Sequence, residues 1–386
     1  MEDTPEIHGL EMGEFPMVAT HDSAATTFAF RAPDANAGWH SLASSWAAWI
    51  VRLLAAYTML GTLISGWGVT QTLSVTQQLE AGVRVLDLRL YAFHPRGSPL
   101  SDGENNPVDQ LGFGISHTFP TPHSLQSVLE RDVLPFLARN TGEIVVVRLK
   151  EDTHTHTEWT ASHPIMEFLC SRHLDRILAS STVTSSIPYA KLRGSTVHDL
   201  VLANQRILFL WEGSRTGLAS HPHTLGHVVV GSPDVVFGHW DNVDVYDLKA
   251  TMLHHRITSL ASPPPPPHLA HSPPRLLRRR SVFTELNFCL TPSQSLISSR
   301  YLFWKRVSSS TPTFPDLHTL SSPVNTTLVP TLLSTHGPSL SANHTQSDGD
   351  GGADGNRVDV SFLTFDFATP DLVSLVMNTL YPTVIS

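Results

Sequence analysis

The stretch VRVLDLRLY, from Val83 to Tyr91, decides the fold class because apolar and charged side chains alternate along it. Successive side chains of a β-strand point to opposite faces, so Asp87 and Arg89 share one face while Leu86 and Leu88 share the other. The β-branched and apolar content predicts a strand. Its charged pair lies toward the C-terminal end.

Three further stretches are apolar at first and polar at their C-terminal ends: IVVVRLK (144–150), RILFLWE (206–212) and VDVSFLTFDF (358–367). Helical spacing of apolar residues marks SLQSVLERDVLPFLARNTGE (124–143), with Ser124 as N-cap, and DLVSLVMNTL (371–380). Strands that alternate with helices predict an α/β fold with a parallel sheet. Barrels of this kind keep their active sites at the C-terminal ends of the strands.

Length and composition are compatible with one large domain that carries insertions and, equally, with two domains. The 386 residues are 41% hydrophobic and 15% charged, so the chain can bury a sizeable core. This length fits a single α/β barrel once insertions are counted. Among these, we expect one domain over residues 10–386, and a monomer.

The net charge and the cysteine content limit the classes of binding partner and the cellular compartment that we expect. The net charge is -9 and the basic run at 278–280 is short, which disfavours nucleic acid. Two cysteines, Cys170 and Cys289, form no disulfide framework. The acidic start lacks the apolar run of a signal peptide, and we interpret the sequons at Asn325 and Asn343 as chance matches. A cytoplasmic protein is expected.

Three segments interrupt the pattern. The most apolar one, Trp46 to Val69, is compatible with a helix packed on the fold, a surface that touches lipid, or a membrane span. The proline run makes 262–280 a flexible insert, and 262–274 a candidate site for a proline-motif binding partner. The Ser, Thr and Pro content of 308–356 predicts a second insert with little packed structure.

Polar residues that the predicted strands bring to one rim suit phosphodiester chemistry. One histidine can take a proton from an attacking hydroxyl, another can protonate the leaving oxygen, and an arginine can hold the phosphate. The candidate residues are His21, Asp22, Asp87, Arg89, His117, Lys150 and Asp366.

Two quoted stretches carry a family resemblance. THDSAATTF (20–28) resembles the opening of the X domain of phosphatidylinositol-specific phospholipases C. WGVTQTLSVTQQLEAGVRVLDLRLY (67–91) is similar to the family pattern Trp-x-x-Thr-Gln, Gln-Leu, Gly-hydrophobic-Arg and Asp-hydrophobic-Arg. The resemblance is continuous over 15–150 and patchy beyond. It implies a distorted (β/α)8 TIM-type barrel and a phosphoric diester hydrolase that acts on an inositol phospholipid, with peripheral membrane contact.

The resemblance also implies a role for each catalytic candidate. His21 would be the general base on the inositol 2-hydroxyl, and His117 would be the general acid for the diacylglycerol oxygen. Arg89 would stabilise the pentacoordinate phosphate. Asp366 would orient His21, and Asp22 would assist the His117 side.

The remaining site predictions concern the head group and the cofactor. Lys150 is similar to the inositol-contacting lysine of the bacterial enzymes, and Asp87 is assigned to the same substrate-binding group. Calcium-dependent relatives place a carboxylate where this chain has Arg89. Because Arg89 and Lys150 are both cationic, they would repel a divalent cation, and we expect no metal and no other cofactor.

The chain departs from the family pattern at two places. The second histidine of the family is usually followed by glycine, whereas Thr118 follows His117 here. Bacterial enzymes carry an inositol-binding arginine near the end of the strand that here ends in Trp211 and Glu212. This second departure puts phosphatidylinositol in doubt as the particular substrate.

Several of the candidate residues also fit purely structural roles. His21 could be a turn residue, Arg89 could pair with Asp87 or Asp366 as a buried ion pair, and Lys150 could extend to the surface. Two further functions are compatible with the same residues: a metal-dependent barrel phosphodiesterase of the glycerophosphodiesterase or sphingomyelinase D type, and a non-catalytic X-domain scaffold.

Overall fold

The computed structural model describes residues 9–27, 68–93, 112–117, 119–151, 172–179, 181–212, 224–225, 228–230, 236–237, 246–261, 282–289, 317–340 and 360–381. The apolar segment up to residue 67, the proline-rich insert at 262–280 and Cys170 lie outside these residues. In the described part of the chain, no helix is both long enough and apolar enough to cross a membrane.

Twelve strands form one sheet among these residues. They are β1 Met17–Thr20, β2 Val85–Phe93, β3 Gly112–His117, β4 Phe119–Ser124, β5 Val145–Glu151, β6 Ser185–Ser186, β7 Gln205–Trp211, β8 Thr224–Leu225, β9 Val228–Val230, β10 Val236–Phe237, β11 Phe283–Asn287 and β12 Phe362–Phe365. The hydrogen-bonded order is β10-β11-β12-β1-β2-β5-β7-β9-β8, and every pair in it is parallel except β9 with β8. This confirms the predicted α/β fold with a parallel sheet.

Helices connect the strands. They include α1 Val75–Glu80, α2 Leu125–Val128, α3 Leu134–Arg139, α4 Val197–Leu202, α5 Tyr246–Ala261, α6 Leu317–Pro323, α7 Val329–Leu340 and α8 Pro370–Leu380; residues 172–179 are helical as well. A π-helical turn, Leu129–Val133, joins α2 to α3, and a 3₁₀ turn covers Tyr189–Lys191. The predicted N-cap is confirmed, because the Ser124 hydroxyl accepts a hydrogen bond from the backbone N–H of Ser127.

The sheet curls strongly. Three strands separate β5 from β11, so in a flat sheet the two would lie roughly 19 Å apart at the usual strand spacing. Nevertheless, Arg148 on β5 lies 2.7 Å from the Glu285 carboxylate on β11. Both faces of the sheet are buried, as parallel sheets usually are. Between β10 and β8 the described residues form no ladder, so the sheet is a curled half-barrel.

The helical segment 317–340 corrects one prediction. The interpretation of 308–356 as an insert with little packed structure is wrong for these residues, which form α6, a π-helical turn at Val324–Leu328, and α7. Helix α7 packs against α8 and α5. The Ser, Thr and Pro content masked a row of apolar residues near helical spacing. The buried members of that row are Leu317, Val324, Leu328, Val329, Leu332 and Leu333.

Candidate active site

A tight turn after β1 places the first two candidate residues. Asp22 adopts a left-handed conformation with φ of 44°, which aspartate tolerates better than most residues. The Ser23 backbone N–H donates to Asp87 O (2.8 Å), and the Ser23 hydroxyl accepts from the Asp87 N–H (2.8 Å). The turn is thereby fixed to β2, the strand that carries Arg89. Ser23 is a structural residue at this turn.

The Thr-Gln pair of the sequence motif clamps the ends of β1 and β12 together. The side-chain amide of Gln71, which is fully buried, donates to His21 O (3.0 Å) and Phe365 O (3.2 Å) and accepts from the Ala368 N–H (3.2 Å). The Thr70 hydroxyl donates to Asp22 O (3.0 Å). The motif therefore sets the spacing between the strand ends that carry His21 and Asp366.

This clamp leads to a stability prediction. Gln71→Leu removes three hydrogen bonds and leaves the Ala368 N–H buried without its acceptor, while Phe365 O still accepts from the His21 N–H, so the cost is about 1–3 kcal/mol. We expect urea denaturation to show that loss together with a lower rate of substrate turnover. Gln126→Leu is the matched control, because the exposed Gln126 amide contacts only Glu130 one helical turn away and should cost less than about 0.5 kcal/mol. Equal effects of the two substitutions would contradict the clamp.

Asp22 is the centre of the cluster. One of its oxygens lies 2.8 Å from Arg89 Nε, and the other lies 2.8 Å from His21 Nε2 and 3.2 Å from His117 Nε2. The two imidazole rings face each other edge to face, with centroids 5.7 Å apart. The Arg89 partner is therefore Asp22, whereas the sequence had suggested Asp87 or Asp366 as alternatives.

Asp366 holds the other side of the His21 ring. Its Oδ1 lies 2.8 Å from His21 Nδ1, while Arg89 Nη2 lies 2.9 Å from His21 Nε2. Neutral His21 can thus donate from Nδ1 to Asp366 and accept from Arg89 at Nε2. The side chain of Asn325 steadies this strand end by donating to Asp366 O (2.8 Å) and Phe367 O (3.3 Å). Asn325 Nδ2, the atom to which a glycan would be attached at this sequon, is therefore hydrogen-bonded within the fold.

Burial and neighbouring charges shift the pKa values of the two histidines in opposite directions. Burial lowers the pKa of His21, but the carboxylates of Asp22 and Asp366 outweigh burial and hold that pKa well above 6.5. Burial also lowers the pKa of His117, and with the charges of Arg89 and His21 it outweighs the attraction of Asp22, so the His117 pKa is below 6.5. Arg89 and the two histidines keep the pKa of Asp22 well below its ordinary value despite its burial.

A second charged layer lies beneath this cluster. The Lys150 ammonium contacts Asp87 (3.3 Å) and Glu212 (3.2 Å). The buried guanidinium of Arg148 donates to both oxygens of Glu212 (2.6 and 2.9 Å) and of Glu285 (2.7 and 3.0 Å). Glu212, the residue that follows β7, is a carboxylate that pairs with both cations of the layer.

Several residues near the site were missed by the sequence reasoning. Cys289 and Asn287 lie at the C-terminal end of β11 and are both buried. The Asn287 Oδ1 accepts from the Cys289 N–H (2.8 Å). Metal-ligand atoms lie within 4.8 Å of one another in two groups of the described residues: His21, Asp22 and His117, and His21, Cys289 and Asp366. The apolar strand pattern before Asn287 was the one sequence signal that Asn287 and Cys289 lie near the site.

Comparisons with known proteins give one short sequence match and a group of similar folds. No protein-family model matches the chain. A stretch of 58 residues is 50% identical to mouse PI-PLC X domain-containing protein 1, covering 15% of this chain and 16% of that protein.

Solved structures are similar over nearly the whole chain. A phosphatidylinositol-specific phospholipase C from Listeria monocytogenes superimposes with a TM-score of 0.55 at 16% identity, covering 98% of this chain and 97% of that one. The enzyme from Staphylococcus aureus, in a structure concerned with the modulation of its membrane binding, gives 0.53 at 12% identity over 96% and 94%. The chain is therefore similar over 58 residues to one PI-PLC X domain-containing protein, and it shares the fold of the phosphatidylinositol-specific phospholipases C.

Proposed function

We propose that this protein is a phosphoric diester hydrolase of the phospholipase C type, which cleaves the glycerol-side phosphodiester of an inositol phospholipid. The observation that carries the proposal is the convergence of His21, His117 and Arg89 on one carboxylate, Asp22. We also propose that the half-barrel belongs to a complete (β/α)8 barrel. The protein would act from the cytoplasm at a membrane surface, as a peripheral protein and a monomer.

We propose one histidine for each proton transfer. His21, oriented by Asp366 through Nδ1, takes the proton of the inositol 2-hydroxyl at Nε2. The Nδ1 of His117 lies 2.7 Å from Gly68 O, to which it donates, so Nε2 is the atom that delivers a proton to the leaving diacylglycerol oxygen. Arg89, with Asp22 fixing its Nε, offers its remaining N–H groups to the phosphate.

Lys150 and Asp87 are proposed to contact the inositol hydroxyls. Burial lowers the pKa of Lys150, but Asp87 and Glu212 outweigh burial and raise it, so the ammonium stays charged. Burial raises the pKa of Asp87, but Lys150 and Arg148 outweigh it, so the carboxylate stays ionised. One donor and one acceptor are thus fixed beneath the histidine pair.

The two other candidate functions have less support. A metal-dependent phosphodiesterase needs carboxylates available to a cation, but Asp22 is paired with Arg89 and Asp87 with Lys150. A scaffold would bind its partner through the proline-rich insert at 262–274 and would need no histidine pair. Purified protein should release diacylglycerol from vesicles that contain phosphatidylinositol, and excess EDTA should not slow the release. Loss of activity in EDTA would favour the metal-dependent class, and no release from any phospholipid would favour the scaffold.

The role of His117 can be tested with two leaving groups. His117→Ala should slow cleavage of the lipid by about 10²–10⁴-fold, because the alkoxide of diacylglycerol leaves poorly without a proton. With a nitrophenyl ester of inositol phosphate the leaving group needs no proton, so the loss should be at least tenfold smaller. Equal losses on the two substrates would exclude general-acid catalysis by His117.

The histidine pair also predicts a bell-shaped pH profile. Both rings are protonated below the lowered pKa of His117, so the base is missing there. Both are neutral above the raised pKa of His21, so the acid is missing there. The active state carries one proton on the pair, so kcat/KM should peak between the two pKa values, of which one lies below and one above 6.5. The order of the two pKa values places most of that proton on His21, so the reactive arrangement, with His21 neutral and His117 protonated, is the minor form of this charge state. Asp22→Asn should lower both pKa values and shift the whole profile to lower pH. If both limbs of the kcat/KM profile of this variant stay at their wild-type pH values, the assignment is contradicted.

A further inference from the structure

A thiol lies behind the proposed general base. Cys289 is the residue that follows Phe288 at the end of β11, and its side chain is 1% exposed. Its sulfur, a ring nitrogen of His21 and a carboxylate oxygen of Asp366 lie within 4.8 Å of one another. The proposed catalytic cycle makes no use of this sulfur.

One oxygen of the same group lacks a partner. Asp366 Oδ1 is bonded to His21 Nδ1, but Asp366 Oδ2 is buried and has no hydrogen bond among the described residues. A buried carboxylate oxygen without a partner is costly, and such atoms commonly mark the position of a ligand. Imidazole nitrogen, thiolate sulfur and carboxylate oxygen are the three ligand types that zinc prefers in proteins.

We propose that His21, Cys289 and Asp366 form an inhibitory Zn²⁺ site. Zinc would bind His21 through Nδ1, with the fourth position open to water or to a phosphate oxygen. Two ligands at about 2.0 Å in a tetrahedron lie roughly 3.3 Å apart, so the present 2.8 Å contact between Nδ1 and Oδ1 would open by about half an ångström. Binding releases the thiol proton and the Nδ1 proton, so it strengthens as pH rises.

Inhibition follows because the metal takes the nitrogen through which Asp366 orients the base. The inhibition rests on the proposed function, whereas the binding of zinc does not.

Charge favours this group over the one formed by His21, Asp22 and His117. The Arg89 guanidinium lies 2.8 Å from Asp22 and 2.9 Å from His21 Nε2, where it repels a second cation. Burial and Asp366 raise the pKa of Cys289 to about 12, while the hydrogen bond and charge of His21 and, more weakly, the charge of Lys249 act in the opposite direction, toward the thiolate. A coordinating metal completes that deprotonation.

The test uses Co²⁺ as a spectroscopic substitute for zinc, with the full chain in three forms. Wild type and Cys170→Ser, which changes the other cysteine of the chain, should both show a thiolate-to-cobalt charge-transfer band that Zn²⁺ abolishes. Cys289→Ser should lack the band. Its zinc affinity, measured by calorimetry, should fall by more than the roughly tenfold loss that is typical of an outer-shell partner. Circular dichroism and thermal melting verify that each variant is folded, and Cys289→Ala repeats the test if the serine variant is not.

Activity provides a second readout. Each form is compared with itself, with and without zinc, and Cys289→Ser should need at least about tenfold more zinc for half inhibition. A wild-type protein without the charge-transfer band would overturn the site, whether or not it hydrolyses lipid. Zinc inhibition that survives in Cys289→Ser but disappears in His117→Ala would also overturn the proposed site. Zinc would then bind at the group formed by His21, Asp22 and His117. A protein that shows the band but has no lipase activity would keep the zinc site and refute the proposed function.

Discussion

His21→Ala is expected to slow cleavage of the phosphodiester by about a thousandfold or more, within the range that loss of a positioned general base produces. His21 lies between Asp366 and Asp22, with 2.8 Å contacts at both ring nitrogens, so neighbouring groups fix its position on both sides. Alanine removes the proton acceptor. It also takes away the side-chain hydrogen bond between His21 and the buried carboxylate of Asp366.

The control for this substitution is His254→Ala. His254 is an exposed histidine on α5 that contacts His336, so its loss should leave turnover on phosphatidylinositol vesicles within about twofold of wild type. The measurement is initial release of diacylglycerol at matched protein concentration. His21→Ala with undiminished turnover would refute the role of this cluster in catalysis.

Arg148→Met is expected to destabilise the fold by about 3–5 kcal/mol, the cost of removing one partner from a buried ion-pair network. The guanidinium is 2% exposed and bonds two carboxylates that reach it from β11 and from the residue that follows β7. Burial alone would raise the pKa of Glu212 and Glu285, but Arg148 holds both low, so both are ionised in the native state. Without Arg148 the buried Glu285 carboxylate loses its cation, and the partly exposed Glu212 keeps only the contact with Lys150 among those shown.

A second substitution distinguishes charge from packing. With Arg148 and Lys150 positive and Asp87, Glu212 and Glu285 negative, the layer carries 2 − 3 = −1, and Arg148→Met makes it −2. Adding Glu285→Gln returns it to −1 and should restore at least half of the lost stability.

The pH dependence of Arg148→Met alone supports the same interpretation. Its deficit in urea unfolding should shrink between about pH 7 and about pH 5, because carboxylates with raised pKa values take up protons there. A deficit that neither the second substitution nor acid reduces would mean that lost packing, not charge, causes the destabilisation.

The parallel sheet and its rim could be predicted because their signals are local. The alternation in VRVLDLRLY sets which side chains share a face, and the charged ends of successive strands then meet at one edge of the sheet. Asp22, Arg89 and His117 converge in the structure as that reasoning implied.

The contacts that the sequence did not reveal join residues far apart in the chain. Arg148 meets Glu285 across 137 positions because the sheet curls, and no local pattern encodes that curvature. Cys289 reaches Asp366 and His21 because β11, β12 and β1 are neighbours in the sheet, and no local pattern encodes that strand order. Residues 317–340 were missed for a different reason, because their Ser, Thr and Pro content obscured an apolar helical face.

The most direct test of the central claim is a ³¹P NMR spectrum of phosphatidylinositol vesicles incubated with the wild-type protein in excess EDTA. Cleavage on the glycerol side sends the phosphorus into solution as an inositol phosphate, cyclic or open, and leaves diacylglycerol in the membrane. That outcome is predicted without any added metal. A spectrum in which the phosphorus remains in the membrane as phosphatidic acid, or in which the lipid signal never changes, would contradict the account.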